Sequence, residues 1–235
     1  MQEERLRLSS TVVAELRERS PLGPEPRASD LAYALVRDMI VDLRLAPGTV
    51  VNEQQLSTET GFGRMPIREA VARLAAERFV TVVPRRGTYV TPLGLAEVLD
   101  MFEAREAIEC GVAHLTARRA NAAQLERLRE LAAEADRVRS DDQIEQHLHA
   151  DHAIHLHLAG VTGNAILQES VDRLLQHNLR FWRSYWTTHE PQASDMLSHA
   201  DLVSALESRD PEAAEVAMRQ HIGASRGLLQ DAFRG

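Results

Sequence analysis

The sequence predicts a mainly α-helical protein in two parts: a small N-terminal domain of three helices and a β-hairpin, and a larger all-α helical bundle. Apolar residues recur at helical spacing along most of the chain, which indicates amphipathic helices. Two β-branched runs, VTVVP at 80–84 and TYVT at 88–91, flank an Arg-Arg-Gly turn and indicate a hairpin. The 235 residues are 44% hydrophobic and 26% charged, a composition that excludes disordered and collagen-like proteins.

The residues before the first domain are expected to form an extension. Residues 3–19 have the pattern of a short charged helix, and the proline-rich stretch 20–30 breaks it. We therefore divide the chain into an extension at 1–27, a first domain at 28–92 and an all-helical domain at 93–235.

Cysteine content and hydropathy indicate the compartment. The single cysteine, Cys110, cannot form an intramolecular disulfide, and a chain of this size without disulfides is typical of a reducing environment. No apolar run approaches the ~18 residues that a membrane-spanning helix needs. We therefore expect a cytoplasmic protein with no membrane partner.

The first domain shows helical periodicity from Ser29, and either Ser29 or Asp30 is expected to cap the first helix. Asn52 is expected to cap a second, shorter helix. A third helix is expected to begin near Pro66, because proline is tolerated in the first turn of a helix. Three helices followed by a hairpin predict a winged helix-turn-helix, which is a DNA-binding fold.

Positive charge is concentrated in the third helix and the hairpin turn. The chain has a net charge of −8, but residues 64–86 carry two acidic residues against six arginines: Arg64, Arg68, Arg73, Arg78, Arg85 and Arg86. The second helix of a helix-turn-helix enters the major groove with its first turns, where arginine bonds to guanine. This predicts base contacts from Arg64 and Arg68, with Arg73 further along the helix.

The hairpin turn is the second part of the predicted DNA surface. Arg85 and Arg86 are expected to reach a phosphate or the minor groove, and Gly87 permits close approach of the backbone. The alternative interpretation is that all these arginines form a solvated charged surface. The coincidence of the cluster with the third helix and the turn favours DNA.

Residues 31–93 resemble the winged-helix domain of the GntR family of bacterial transcription regulators. The matching motifs are LAPG at 45–48, EQQL at 53–56, GRMPIREA at 63–70 and RRG at 85–87. The resemblance implies a double-stranded DNA operator as partner. Three predicted contact residues match the family pattern position by position: Arg64, Arg68 and Gly87.

Two positions depart from that family pattern, and a third differs from some members of the family. Gly63 and Met65 stand where the family usually has Ser or Thr and then Thr, whose hydroxyls commonly touch DNA. Gln54 stands where some members have arginine. The operator sequence therefore cannot be transferred from any relative.

The second domain shows only helical periodicity, from Leu95 to Phe233. Turn-forming residues interrupt it at Asn121, Ser140, Gly163-Asn164, Glu190-Pro191 and Asp210-Pro211. The pattern predicts six helices of about four to seven turns that pack as an all-α bundle.

Histidines are concentrated in the second domain, with five of the ten between residues 147 and 157. Asp151 and His155 lie one helical turn apart and point the same way, a spacing that suits two ligands of one metal ion. His147 shares their face, whereas three other histidines are expected to be exposed: His149, His152 and His157.

Two later histidines, His199 and His221, are predicted to project from apolar helix faces. A lone histidine in such a place is more often a core residue satisfied by one hydrogen bond. Three inward histidines and an aspartate together favour a shared cation, because buried polar groups need partners. Such a donor set suits zinc, nickel, manganese or iron.

Arginine on an apolar stripe is the other unusual feature of this domain. Arg105 lies on the stripe of the first helix, and a buried guanidinium needs an anion. Glu109, one turn further on, is one candidate for that anion, and the carboxylate of a bound ligand is the other. Arg180 is a second candidate for binding an effector.

The second domain is similar to the all-helical FCD effector domain of the FadR subfamily of GntR regulators. The matching pieces are DMFEAREAIE at 100–109, a D-x-x-x-H motif followed by TGN, and the two late histidines. The resemblance implies homodimers, a small organic acid as effector, and a divalent ion held by four residues: Asp151, His155, His199 and His221.

The leading hypothesis is therefore a dimeric, ligand-responsive transcription regulator that is not an enzyme. One alternative is a metalloregulator that senses the divalent ion itself. A less favoured alternative is a metal-dependent hydrolase tethered to DNA, since such a donor set can activate water.

Overall fold

The structure, a computed structural model, describes residues 26–140, 143–189 and 197–232. Within these residues it contains nine helices and one two-stranded sheet, which confirms the predicted mainly α fold class. The predicted helix at 3–19 lies outside the described residues. The chain divides into two compact units at the bond between Leu93 and Gly94.

The first unit contains the helices α1 (Ala28–Val41), α2 (Glu53–Thr60) and α3 (Arg64–Ala76). The expected cap of α1 is wrong, because the helix begins at Ala28 and Arg27 occupies the N-cap without a side-chain hydrogen bond. Asp30 lies instead in the first turn, where a carboxylate interacts favourably with the helix dipole.

The boundaries of α2 follow from its flanking residues. Asn52 caps the helix as predicted, since its side chain accepts hydrogen bonds from the backbone N–H groups of Gln54 and Gln55. Gly61 ends the helix in the left-handed conformation with φ 76°, which glycine adopts without steric cost. These two residues fix the turn that leads to α3.

The hairpin consists of β1 (Val80–Val83) and β2 (Gly87–Val90), paired antiparallel with Val80 opposite Val90. Gly87 has φ 116°, which side chains rarely allow. The core under the hairpin and the helices is fully buried and consists of Ala32, Val36, Ile40, Ile67, Ala70, Leu74, Phe79 and Val90. The predicted three helices and hairpin are thus present in one unit.

The second unit contains six helices in its described residues, as predicted: α4 (Leu95–Arg119), α5 (Ala122–Ser140), α6 (Ile144–Val161), α7 (Ala165–Tyr185), α8 (Ala200–Glu207) and α9 (Pro211–Ala232). The expected length of four to seven turns is wrong for α8, which has eight residues. The helix ends at Glu207 with Ser208 as its C-cap. Arg209 follows with φ 56°, a left-handed conformation that does not continue a right-handed helix.

Helix α4 packs against four helices of this unit: α6, α7, α8 and α9. The interior is apolar, with Phe102 of α4 and Leu158 of α6 both fully buried. Burial of such side chains contributes about 1.5–3 kcal/mol each. None of the described helices is long and apolar enough to cross a membrane.

Candidate metal centre and DNA-binding surface

The structure brings together the four predicted metal ligands. Asp151 and His155 lie one turn apart on α6, and His221 comes from the middle of α9. The spacing of His199 had suggested a position on a helix face, but His199 occupies the N-cap of α8. One ligand atom from each residue lies within 4.8 Å of the others.

The carboxylate of Asp151 is the centre of this cluster. Its Oδ1 lies 3.2 Å from Nε2 of His199 and 3.6 Å from Nε2 of both His155 and His221. The three imidazole rings have centroid separations of 4.3 to 5.5 Å. All three histidines therefore present the same type of nitrogen to one oxygen.

Burial makes this arrangement costly without a further partner. His155 is 1% exposed and His199 is 2% exposed. Nδ1 of His199 has no hydrogen-bond partner among the described residues, although buried polar groups in proteins are nearly always paired. Three imidazoles and a carboxylate are a donor set that divalent transition metals accept, so the residues fit such an ion.

The electrostatics of the cluster favour a charged Asp151. Burial acts to raise the pKa of Asp151, but His155, His199 and His221 hold it well below its usual value. Burial lowers the pKa of His199 and lowers that of His221 to about 4. The carboxylate is therefore ionised and these two imidazoles are neutral at pH 7. Burial acts to lower the pKa of His155, but Glu109 and Asp151 raise it to about 9, so binding of an ion would release a proton from this histidine.

Glu109 of α4 is buried directly behind His155. Its Oε1 accepts a hydrogen bond from Nε of Arg105 at 2.7 Å, and its Oε2 accepts one from Nδ1 of His155. Burial acts to raise the pKa of Glu109, but Arg105 and His155 lower it to about 2. The partner that the sequence suggested for Arg105 is therefore present.

The contact between Glu109 and His155 was not predicted from the sequence. Helical spacing places Glu109 one turn from Arg105 on the same helix, whereas His155 lies 46 residues further along the chain. Only the packing of α4 against α6 brings the two side chains together.

Both candidate effector arginines are buried, each 1% exposed. Arg105 uses Nε for its ion pair with Glu109, whereas its Nη2 is buried without a hydrogen-bond partner. Burial lowers the pKa of Arg180 to about 10. Arg105 therefore retains an unused donor that an anion is able to accept.

The other histidines of α6 lie outside the cluster. His147 is buried and donates a hydrogen bond to the backbone carbonyl of Ala135 at 3.3 Å. His149 is exposed, as predicted. The expected exposure of His152 and His157 is wrong, because both are half-buried against neighbouring helices.

The candidate DNA-binding surface begins at the N-terminus of α3. Arg64 is exposed and donates to the side-chain oxygen of Gln54 at 2.6 Å. The Arg68 side chain is 70% exposed and lies 3.5 Å from a carboxylate oxygen of Glu53. Met65 is 61% exposed in the same turn. The first turn of α3 thus presents two guanidinium groups and one apolar side chain to solvent.

Arg73 differs from these two arginines. Its guanidinium donates to Asp30 of α1 at 2.7 Å and lies 4.0 Å from the centroid of the Tyr33 ring. Contact with DNA would therefore compete with contacts inside the domain. At the hairpin, Arg85, Arg86 and Gly87 are all exposed.

The comparison with protein families matches both parts of the chain. The model of the "Bacterial regulatory proteins, gntR family" matches residues 28–90, and the "FCD domain" model matches residues 100–224. Together they cover the first domain and most of the second.

Curated relatives match along most of the chain. The HTH-type transcriptional repressor RspR of Escherichia coli (strain K12) is 28% identical over 201 residues, spanning 86% of this chain and 88% of the relative. The HTH-type transcriptional regulator LutR of Bacillus subtilis (strain 168) is 28% identical over 216 residues, spanning 83% of this chain and 98% of the relative. Both names describe transcription regulators and not enzymes, so the hydrolase alternative is dropped.

The solved structure of Escherichia coli McbR/YncC shares the fold. It aligns with a TM-score of 0.76 and 17% sequence identity, covering 89% of this chain and 100% of that chain. At this identity the likeness concerns the fold alone, whereas the two family matches concern the sequence itself. The chain belongs to the GntR family of bacterial transcription regulators and carries an FCD domain in its second part.

Proposed function

We propose that this regulator responds to a small organic acid that binds at a divalent metal ion in the second domain. Four residues would hold the ion: Asp151, His155, His199 and His221. The observation that carries this proposal is the convergence of their ligand atoms within 4.8 Å. The buried Nε2 of His199 lies 3.2 Å from Oδ1 of Asp151, and a shared cation would bind both atoms, which supports the same conclusion.

A carboxylate is the effector chemistry that the buried arginine supports best. When bound, a divalent ion supplies a Lewis-acidic position for a carboxylate oxygen. Arg105 supplies a fixed guanidinium with a buried, unpartnered Nη2, and guanidinium groups bind carboxylates through charge-assisted hydrogen bonds. Arg180 is the second candidate contact for the same acid.

We place the operator contacts on α3 and the hairpin. Arg64 and Arg68 would bond to base edges, with Arg73 further along the helix. Arg85, Arg86 and Gly87 would contact the sugar-phosphate backbone or the minor groove. A homodimer would present two such surfaces to an operator with two related half-sites.

A metalloregulator is the second candidate, because four protein ligands are enough to complete a tetrahedral site without any acid. The two candidates differ in what controls operator affinity. If affinity follows the concentration of the ion in buffers free of organic acids, the ion itself is the signal. If it changes only when an acid is added to the metal-loaded protein, the acid is the effector.

Elemental analysis of the purified protein tests the proposed site. We expect about one zinc, nickel, manganese or iron ion per chain, removable by a chelator and absent from the His221→Ala variant. A thermal-shift screen of small mono- and dicarboxylates on the metal-loaded protein then identifies the acid. Equal metal content in wild type and variant would place the ion elsewhere.

A further inference from the structure

The side chain of Glu109 lies between two hydrogen-bond donors and accepts from both. One oxygen accepts from Nε of Arg105 and the other accepts from Nδ1 of His155. All three residues are 1% exposed, so water does not replace either contact. An ionised carboxylate offers a separate acceptor oxygen to each of two donors that approach from two different helices.

The contact with His155 determines which nitrogen faces the ligand cluster. Because Nδ1 donates its proton to Glu109, Nε2 is the nitrogen of His155 that would coordinate an ion. That atom lies 3.6 Å from Oδ1 of Asp151 and 3.3 Å from Nε2 of His221. The hydrogen bond thus fixes both the rotation of the His155 ring and its ligand atom.

Building on the proposed metal site, we propose that Glu109 is a positioning residue for that site. Through one oxygen it orients the ligand His155, and through the other it holds the guanidinium of Arg105. A single buried carboxylate thereby places one ligand of the proposed ion and the guanidinium that would contact the effector acid. Removing a group that hydrogen-bonds to a metal ligand typically lowers metal affinity by roughly 10- to 100-fold.

The test uses Co²⁺ as a probe, with its affinity measured by competition against a chromophoric chelator. In Glu109→Gln a single carbonyl oxygen replaces two acceptors, and the charged Arg105 is the stronger competitor for it. We expect Co²⁺ affinity to fall by roughly 10- to 100-fold. The visible spectrum of the bound Co²⁺ should also change, because His155 is no longer held.

Two double variants separate positioning from packing. In Arg105→Met/Glu109→Gln the carbonyl oxygen is left to His155 alone, so affinity should recover most of the way towards wild type. In Arg105→Met/Glu109→Met no acceptor remains, so affinity should stay low even though the ion pair has been replaced by apolar side chains. Circular dichroism of each variant checks that it is folded.

Glu106→Gln is the matched control, since Glu106 lies on the same helix and its carboxylate faces Arg219 and Arg226. It should bind Co²⁺ as wild type does. The inference about Glu109 is overturned if Glu109→Gln keeps wild-type affinity and spectrum, or if the two double variants bind equally well. If wild type and His221→Ala bind Co²⁺ alike, the proposed metal site itself is wrong and the inference falls with it.

Discussion

At the residue scale, the second domain concentrates its unusual chemistry in six buried or nearly buried side chains. Asp151 and the three histidines form the cluster, and Glu109 connects it to Arg105. Each polar atom in such a place needs a partner, since an unsatisfied buried group costs about 1–3 kcal/mol. A bound cation and a carboxylate would supply partners to the atoms that lack them.

The first prediction concerns the metal ligands. His155→Ala, His199→Ala and His221→Ala should each lower the metal content of the folded protein, because each removes one ligand atom of the cluster. His149→Ala and His157→Ala serve as controls, since neither residue belongs to the cluster. Both variants should retain the metal content of wild type. Stoichiometric metal in all five variants by elemental analysis would contradict the assignment.

The second prediction concerns base recognition by α3. Arg64→Ala and Arg68→Ala should each weaken operator binding by about 1–3 kcal/mol and relax sequence preference, because each removes a bidentate contact to a guanine. Arg137→Ala is a matched control, as an exposed arginine on α5. Titration of operator and scrambled duplexes measures both effects. Variants that keep full affinity and preference would show that α3 does not enter the groove.

Spacing on one helix and the family resemblance together indicated the four residues of the cluster, but neither indicated Glu109 as a partner of His155. Asp151 and His155 share a helix, so a spacing of four places them on one face. Glu109 and His155 lie on α4 and α6, and the sequence contains no pattern that relates positions on two helices. Contacts of this type depend on how the helices pack.

At the element scale, local chemistry determines where most helices begin and end. Asn52 and Asn164 cap α2 and α7 through hydrogen bonds to backbone N–H groups, and residues of this type predict helix starts. The predicted cap of α1 was wrong by at least two residues, because polar side chains in the first turn are of the same types as cap residues. The short α8 was not predicted, since its apolar spacing continues the pattern of longer helices.

The third prediction tests the cap of α2. Asn52→Ala should lower the free energy of unfolding by about 1 kcal/mol, because two backbone N–H groups lose their acceptor. Asn52→Ser keeps an acceptor oxygen and should stay close to wild type. Urea denaturation of the intact chain measures both variants. An equal loss in the two would mean that the cap hydrogen bonds do not stabilise this helix.

The fourth prediction concerns the hairpin. Arg85→Ala or Arg86→Ala should weaken binding to all DNA sequences alike, as the loss of a phosphate contact does. The slope of log affinity against log salt concentration should fall in magnitude by about one. The measurement is affinity against salt concentration for specific and non-specific duplexes. A loss confined to one operator sequence would instead indicate a base contact from the hairpin.

At the scale of the whole molecule, the chain joins a DNA-binding unit to a helical unit through Pro92-Leu93-Gly94. Helix α4 begins directly after this connection at Leu95 and carries both Arg105 and Glu109. An effector held by Arg105 would therefore act on the helix that is covalently closest to the hairpin. An effector shifts operator affinity only by its differential affinity for two states of the protein.

The division into two parts was predictable because the period of the apolar residues changes at the hairpin and returns to helical spacing after it. One family model matches residues 28–90 and the other matches residues 100–224, so each match lies within one of the two units. The identity of the acid was not predictable, because it depends on the shape of the space around Arg105 and not on any local pattern.

The central claim is that an acid bound at Arg105 and the metal controls DNA binding. The most direct measurement is operator titration of metal-loaded wild type and Arg105→Gln, with and without the acid found by thermal shift. The glutamine amide still donates to Glu109 but lacks the guanidinium. Wild-type operator affinity should change by about 5- to 150-fold on adding acid, the usual range of allosteric coupling, whereas the variant should not respond. An equal response in both proteins would contradict the account.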